Sequence, residues 1–185
     1  MRLNYIDCCD NVEGMQHLPD ECVDLTVTSP PYDKLRKYTG FTWDLYGLIR
    51  ELHRVTKQGG VIVWIVNDSV VKGGESGTSF KQALTFMAEG FLLYDTMIWL
   101  KPSPAAPTEG RYYDVFEYMF VFSKGKPRAL NLLTDRPNMS AGTKSKKETR
   151  SCREDRRYKD ETRTVKEYSR RFNVWPISRG INRTP

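Results

Sequence analysis

Val23-Asp24-Leu25-Thr26-Val27-Thr28-Ser29-Pro30-Pro31-Tyr32 is the stretch whose reading decides the fold. Its first six residues are rich in β-branched side chains, which favour extended backbone. Two successive prolines then remove N–H donors and disfavour the α region, so a strand ending in an extended turn is expected. Downstream, Asp44 stands where an N-cap belongs, and Leu45, Leu48, Ile49, Leu52 and Val55 follow at helical spacing, closed by Gln58-Gly59-Gly60. Residues 61–66 are an unbroken apolar run, as in a strand covered on both faces. A loop, Gly73-Gly74-Glu75-Ser76-Gly77, leads to a helix near 79–89 with Phe80, Ala83, Leu84 and Met87 on one side. Residues 91–100 and 115–123 read as two more strands around a Pro-rich loop at 101–110. This alternation predicts an α/β domain built on a parallel sheet.

A length of 185 residues bounds the chain to one domain with at most a small second lobe. The hydrophobic fraction of 39% suffices for one core. The net charge of +6 is unevenly spread: residues 124–171 hold 16 Lys and Arg against 7 Asp and Glu, a net +9, and the rest nets −3. Between 140 and 171 the only large aliphatic residue is Val165, too little to bury a core. Residues 1–123 are therefore expected to form the folded body, 124–172 a basic, mobile arm, and 173–185 the start of a further region. Such a charge points to a polyanion, nucleic acid or a membrane surface, although many basic proteins bind neither. Four cysteines (Cys8, Cys9, Cys22, Cys152) and two histidines make no zinc site of usual spacing, so no metal is expected and the thiols read as reduced. The N-terminus lacks the apolar run of a signal peptide, and no stretch reaches the roughly 18–20 apolar residues of a membrane helix. A cytoplasmic protein with no membrane partner is expected.

Ser29-Pro30-Pro31-Tyr32 lies just beyond a strand, where open α/β sheets bind ligands. An aromatic amine is a poor nucleophile because its lone pair is delocalised into the ring. Acceptors aimed at its two N–H groups draw the nitrogen toward sp³ geometry and stabilise the positive charge that develops on alkylation. Ser29 Oγ and the Pro30 carbonyl supply two such acceptors, the prolines supply no competing donors, and Tyr32 offers a flat face for an extruded base. A proline-rich turn after a strand accounts for the same residue types equally well.

The motif resembles the signature of the DNA amino-methyltransferases, in which Asp, Asn or Ser precedes Pro-Pro and an aromatic; Thr-Ser-Pro-Pro-Tyr is most typical of N4-cytosine enzymes, and some N6-adenine enzymes also carry Ser. The resemblance extends to Asp7-Cys8, Gly14-Met15, Leu18-Pro19-Asp20, Glu51-Leu52, Arg54-Val55, Val63-Trp64, Asp68, Trp99-Leu100-Lys101-Pro102, Glu117-Tyr118, residues 121–124 and Asn173-Val174-Trp175. It implies a Rossmann-like, S-adenosylmethionine-dependent methyltransferase sheet, with Asp7 near the adenine of the cofactor and Cys8, Thr28 and Ser29 beside it. It further implies a Phe-x-Gly-x-Gly loop after the Trp175 segment, and this sequence has none. The sheet is thus expected to be incomplete, with a missing segment or separate chain supplying that loop and weak cofactor binding by this chain alone. The expected substrate is DNA, with cytosine N4 preferred over adenine N6. The rivals are a non-catalytic DNA-binding remnant, one subunit of a split methyltransferase, and an enzyme of the same sheet acting on RNA or a small molecule.

Further candidates come from position and charge. Asp68, after the second strand, is expected to orient Ser29 or the target amine; a loop carboxylate bonding nearby backbone reads as well. Lys34, Arg36 and Lys37 are expected near phosphates, and Arg111 with Tyr112 and Tyr113 near DNA or the base pocket. In the basic arm Lys144, Lys146, Lys147, Arg150, Arg156 and Arg157 are expected to attract phosphate, at the position of the target-recognition region of the resembling family.

Overall fold

The structure, a computed structural model, describes residues 4–31, 44–102, 110–149 and 157–177, and for 146–149 and 157–161 the backbone alone. In chain order the elements are α1 (Asn11–Gln16), β1 (Val23–Thr28), α2 (Leu45–Val55), β2 (Thr56–Val66), β3 (Val70–Val71), β4 (Gly74–Glu75), α3 (Thr78–Ala88), β5 (Leu92–Leu100) and β6 (Phe116–Ser123). After them come β7 (Arg136–Pro137), β8 (Lys144–Thr149), β9 (Arg157–Thr164), β10 (Tyr168–Ser169) and β11 (Val174–Pro176). Contacts divide the chain into two units, Met1–Ala129 with Asn173–Pro185, and Leu130–Phe172.

The first unit is built on a five-stranded sheet of order β1-β2-β6-β5-β11. β1 pairs parallel with β2, and β11 parallel with β5, but β6 runs antiparallel to both of its neighbours. The expected all-parallel sheet is thus corrected at one strand. A helix carries the chain from β1 to β2 and from β2 to β5, which parallel neighbours or near neighbours require. No helix is described between β5 and β6, and a direct return makes an antiparallel pair.

The helices share one face. Ile62, Trp64 and Val66 of β2, with Phe120 and Phe122 of β6, form one core with Ile49 and Leu52 of α2, Ala83 and Phe86 of α3, and Phe91; Met15 of α1 packs against it. Phe86 and Phe122 stack with centroids 4.3 Å apart and planes 6° from parallel. The other face carries Val61, Val63 and Ile65, each half-buried, and Leu25 and Val27, which are 58% and 60% exposed. Residues 61–66 are therefore covered by the described helices on one face, against the expectation of two. α3 departs from expectation too. It buries Ser79, Gln82, Ala83 and Phe86, and the stripe of Phe80, Leu84 and Met87 faces outward.

α2 begins where expected, with the Asp44 carboxylate accepting the Gly47 N–H at 3.0 Å. It ends at Val55, three residues before the expected stop, and β2 starts without a loop at Thr56. Gly59 is then inside the strand, with φ +77°. A Cβ there would come within 3.0 Å of the Lys126 carbonyl, because residues 124–128 run alongside it: Gly59 N–H donates to the Lys124 carbonyl at 2.6 Å and Arg128 N–H to the Gly59 carbonyl at 3.1 Å. Only glycine satisfies both the dihedral and the approach. Arg54 fastens the N-terminal segment to α2. It pairs with Glu51 and Asp20 and donates to the Leu18 and Met15 carbonyls at 2.8 and 2.7 Å.

α3 has Gly77 at its N-cap position and no side-chain cap of its own. Asp68 supplies one from ten residues back. Its Oδ1 accepts from Ser79 N–H (3.0 Å), Ser76 Oγ (2.9 Å) and Thr78 Oγ1 (3.2 Å), and its Oδ2 from Ser79 Oγ. Burial works to raise the Asp68 pKa, but these hydrogen bonds together outweigh it and hold the carboxyl below its ordinary range.

In the second unit β7 pairs with β10 and β8 with β9, both antiparallel, as two short ribbons. Arg171 pairs with Asp135, and the Arg136 guanidinium lies 4.4 Å over the Phe172 ring. Most described side chains here are exposed, in keeping with the scarcity of apolar residues.

Two stability measurements check this packing. Phe86→Ala is expected to cost about 3–5 kcal/mol in urea unfolding, since it empties a fully buried ring site. Asp68→Ala is expected to cost about 1–2 kcal/mol at neutral pH. Because the folded pKa is depressed, the Asp68 contribution is fully present above the unfolded value of about 3.9 and lost as pH falls through the folded value. The difference between the two proteins should therefore shrink below about pH 4.

Candidate active site

β1 ends at Thr28, whose register partner on β2 is Trp64. The chain leaves the sheet there, and a cleft of about 710 Å³ opens beside it. Ser29, Pro30 and Pro31 form one wall, with Thr26 and Thr28 of β1; α1 and its cap give Asp10, Asn11, Val12 and Met15; α2 and its cap give Asp44, Leu48 and Leu52; Trp64 closes the floor. Ser29 is exposed, Pro30 is buried and Pro31 half-buried, so the imino acids pin the backbone beside an exposed serine. The lining is divided, with an apolar floor of Val12, Met15, Leu48, Leu52 and Trp64 and a polar rim of Asp10, Asn11, Thr28, Ser29 and Asp44. That division and volume suit a small ligand with a flat apolar part and several hydroxyls.

The floor is fixed from behind. Trp64 is 1% exposed, its indole N–H donates to Gln82 Oε1 at 2.8 Å, and its ring meets Phe86 edge-on at 4.9 Å. The two rim carboxylates are helix caps, Asp44 for α2 and Asp10 for α1, where Asp10 Oδ1 accepts from Val12 and Glu13 N–H at 2.9 and 3.2 Å.

Of the residues proposed from sequence, the cleft gathers Thr28, Ser29, Pro30 and Pro31. Tyr32, Lys34, Arg36, Lys37, Arg150 and Arg156 lie outside the described residues. Asp7 and Cys8 are exposed, and neither lines the cleft; Asp10 and Asn11, a little farther along, do. The signal for them was present, since Asp10 and Glu13 have the spacing of a helix-start box. Asp68 caps α3, which matches the reading of a loop carboxylate bonding nearby backbone. Both of its oxygens are taken by Ser76, Thr78 and Ser79, and it is absent from the cleft lining. Arg111 does not present a free guanidinium for phosphate, because it pairs with Glu75 at 3.3 Å and donates to the Gly73 carbonyl at 2.8 Å. Lys144 is exposed at the start of β8; Lys146 and Lys147 follow in β8 and Arg157 opens β9. Not anticipated was a buried ammonium at the same end of the sheet as Ser29: Lys101, 8% exposed, lies 3.4 Å from Glu117 and 3.6 Å from Asp114. Among the described residues no group of His, Cys, Asp and Glu is arranged to hold a metal ion.

Comparison with known proteins follows the same lines. The model of the DNA methylase family that groups N6 and N4 enzymes matches residues 23–183. The orphan methyltransferase M.BamHII of Bacillus amyloliquefaciens is 47% identical over 167 residues, which cover 89% of this chain and 63% of that protein. The type II methyltransferase M.SmaI of Serratia marcescens is 26% identical, covering 63% of this chain and 54% of its own length. Among solved structures, PvuII DNA methyltransferase (cytosine-N4-specific) superposes with a TM-score of 0.53 at 23% identity, over 71% of this chain and 50% of that one. TTHA0409 of Thermus thermophilus, complexed with S-adenosyl-L-methionine, gives 0.50 at 25% identity, over 70% and 56%. The chain thus spans about half to two-thirds of the length of these relatives. A family match running from the strand that carries the motif through almost the whole remainder, with near-half identity to M.BamHII, places this chain in the N6/N4 DNA methylase family.

Proposed function

We propose that this chain is the catalytic part of a DNA methyltransferase that places a methyl group from S-adenosylmethionine on the exocyclic amine of a flipped base, N4 of cytosine in preference to N6 of adenine. The observation that carries the reading is the cleft beyond β1, with Ser29 exposed on its wall and Pro30 and Pro31 holding it there. Ser29 Oγ and the Pro30 carbonyl accept the two N–H bonds of the target amine. Held so, the nitrogen lone pair would be shared less with the ring and available for alkylation, and the amine would give up one proton to solvent as it is methylated. Two imino acids in sequence hold the acceptors without backbone reorganisation, which is where most of the rate advantage of such a site lies. Tyr32 follows directly and is assigned the stacking face.

The cleft fits the cofactor in size and lining. Its apolar floor suits a purine ring, and Asp10, Asn11 and Thr28 on the rim suit hydroxyl and amine groups. When bound there, the cofactor supplies the electrophilic methyl group. Asp7 and Cys8 would approach it from the segment before α1. Lys144, Lys146, Lys147, Arg150, Arg156 and Arg157, with Lys34, Arg36 and Lys37, are assigned to phosphate. Completion of the site by a polypeptide segment carrying the Phe-x-Gly-x-Gly loop is supported by the sheet face bearing Leu25 and Val27, which the described helices leave uncovered. The preference for cytosine rests on the Thr-Ser-Pro-Pro-Tyr form of the motif. Adenine N6 is the alternative.

Methyl transfer from labelled cofactor to DNA, assayed with the chain alone and together with a polypeptide bearing that loop, tests the proposal. Calorimetry is expected to show weak cofactor binding by the chain alone, and activity is expected only with the complement. Ser29→Ala should then lower kcat by about 10²–10³-fold. Digestion of the product to nucleosides names the base. Full activity in Ser29→Ala, or DNA binding with no transfer under any complementation, would replace this reading with that of a non-catalytic remnant.

A further inference from the structure

We propose that Tyr112 and Tyr113 form a stacking step for DNA bases beside the cleft, and that Arg111 is a positioning residue holding that step in place; this rests on the reading of the chain as a DNA enzyme. Tyr112 is 99% exposed and Tyr113 60%, so two adjacent aromatic side chains stand in solvent. The backbone that carries them is fastened on both sides. Before them, Arg111 is spent on Glu75 at 3.3 Å and on the Gly73 carbonyl at 2.8 Å. After them, Asp114 accepts from Asn67 Nδ2 at 2.6 Å and from Phe116 N–H at 3.3 Å, and lies 3.6 Å from the Lys101 ammonium. Rings presented on a backbone tied down at both ends lose little further entropy when they meet a ligand.

The other half of the platform is the β3–β4 hairpin that Arg111 grips. Its two-residue turn, Lys72 (φ +51°) and Gly73 (φ +80°), is the left-handed pair that suits a tight hairpin. It exposes Val70 and Val71, and the Lys72 side chain is exposed at the tip. Two phenol rings, two valines and one ammonium on a stapled pair of loops match the mixture of flat apolar faces and anionic backbone that nucleic acid presents. Position fits as well. Asn67 follows β2, the strand beside β1, and the Thr28–Trp64 register puts it one strand across and two residues beyond Ser29. With strands about 4.8 Å apart and a rise of about 3.3 Å per residue, that separation is roughly 8 Å. The rings stand one and two residues before Asp114, whose carboxylate accepts from Asn67, and so lie toward that end of the sheet.

The test uses the 185-residue chain and short duplexes in which 2-aminopurine flanks a single abasic site, compared with intact duplex. Binding by the wild-type chain is expected to quench the 2-aminopurine through stacking. Tyr112→Ala should abolish the quench and weaken binding to the abasic duplex about 5- to 100-fold with the salt dependence unchanged, and Tyr112→Phe should retain both. Arg111→Ala and Glu75→Gln should each weaken binding without altering the salt slope. Unchanged quenching in Tyr112→Ala overturns the stacking step. A salt slope shallower by about one unit in Arg111→Ala, or tighter binding by Glu75→Gln, overturns the positioning role and returns Arg111 to phosphate. Binding by wild type with no methyl transfer under any condition would count against the catalytic reading and leave this one standing; no DNA binding at all would sink both.

Discussion

The indole of Trp64 is the fixed point of the first unit. Through its backbone it registers β1 on one side and β6 on the other; through its N–H it fixes α3 by way of Gln82; through its ring it packs on Phe86 and closes the cleft floor. Loss of the hydrogen bond from this buried indole to Gln82 would cost about 1–3 kcal/mol, because it leaves a donor unpaired in an apolar core. The amide of Gln82 is therefore held in one place, and α3 with it. Ser29 follows the end of the next strand, one residue beyond the register partner of Trp64, so the placement of the motif is inherited from the core.

How much of this was legible in the sequence depends on how local each cause is. β1, its end at the prolines and the Asp44 cap of α2 follow from dihedral restrictions and short-range hydrogen bonds, and they were readable. The end of α2 was not. Gly59 looked like a helix stop, but its positive φ serves a strand that residues 124–128 cross closely. The direction of β6 escaped for a related reason, since an alternation of strands and helices does not say where a return without a helix will pair. α3 misled because its apolar stripe and its buried face differ: Gln82 and Ser79 are inside for the sake of Trp64 and Asp68, and Phe80, Leu84 and Met87 are left outside. Asp68 was placed near the right end of the sheet, and of its two readings the loop carboxylate bonding nearby backbone is the one its hydrogen bonds to residues 76–79 match.

The motif was marked out by its resemblance to the family signature more than by its residue types, while its surroundings needed coordinates. Ser29-Pro30-Pro31 supplies what an amine nucleophile requires, but a proline-rich turn has the same residue types. That Asp10, Asn11 and Trp64 share its cleft depends on α1 being strapped to α2 by Arg54, whose donors reach Asp20 and two carbonyls across more than thirty residues of chain. Charge tells a similar story. The positive excess could be assigned to one segment by counting, yet the ribbons β7–β10 and β8–β9 come from backbone pairing, which alternating polar residues specify only weakly.

Among the described residues β1 has a neighbour on one side only, and along its length Leu25 and Val27 are open to water. A strand with a vacant row of peptide groups and greasy shoulders is a template for any extended chain. In a concentrated preparation the most abundant such chain is another copy of itself. Self-association through that rim is therefore the expected failure of a concentrated preparation, and conditions that keep copies apart leave it open.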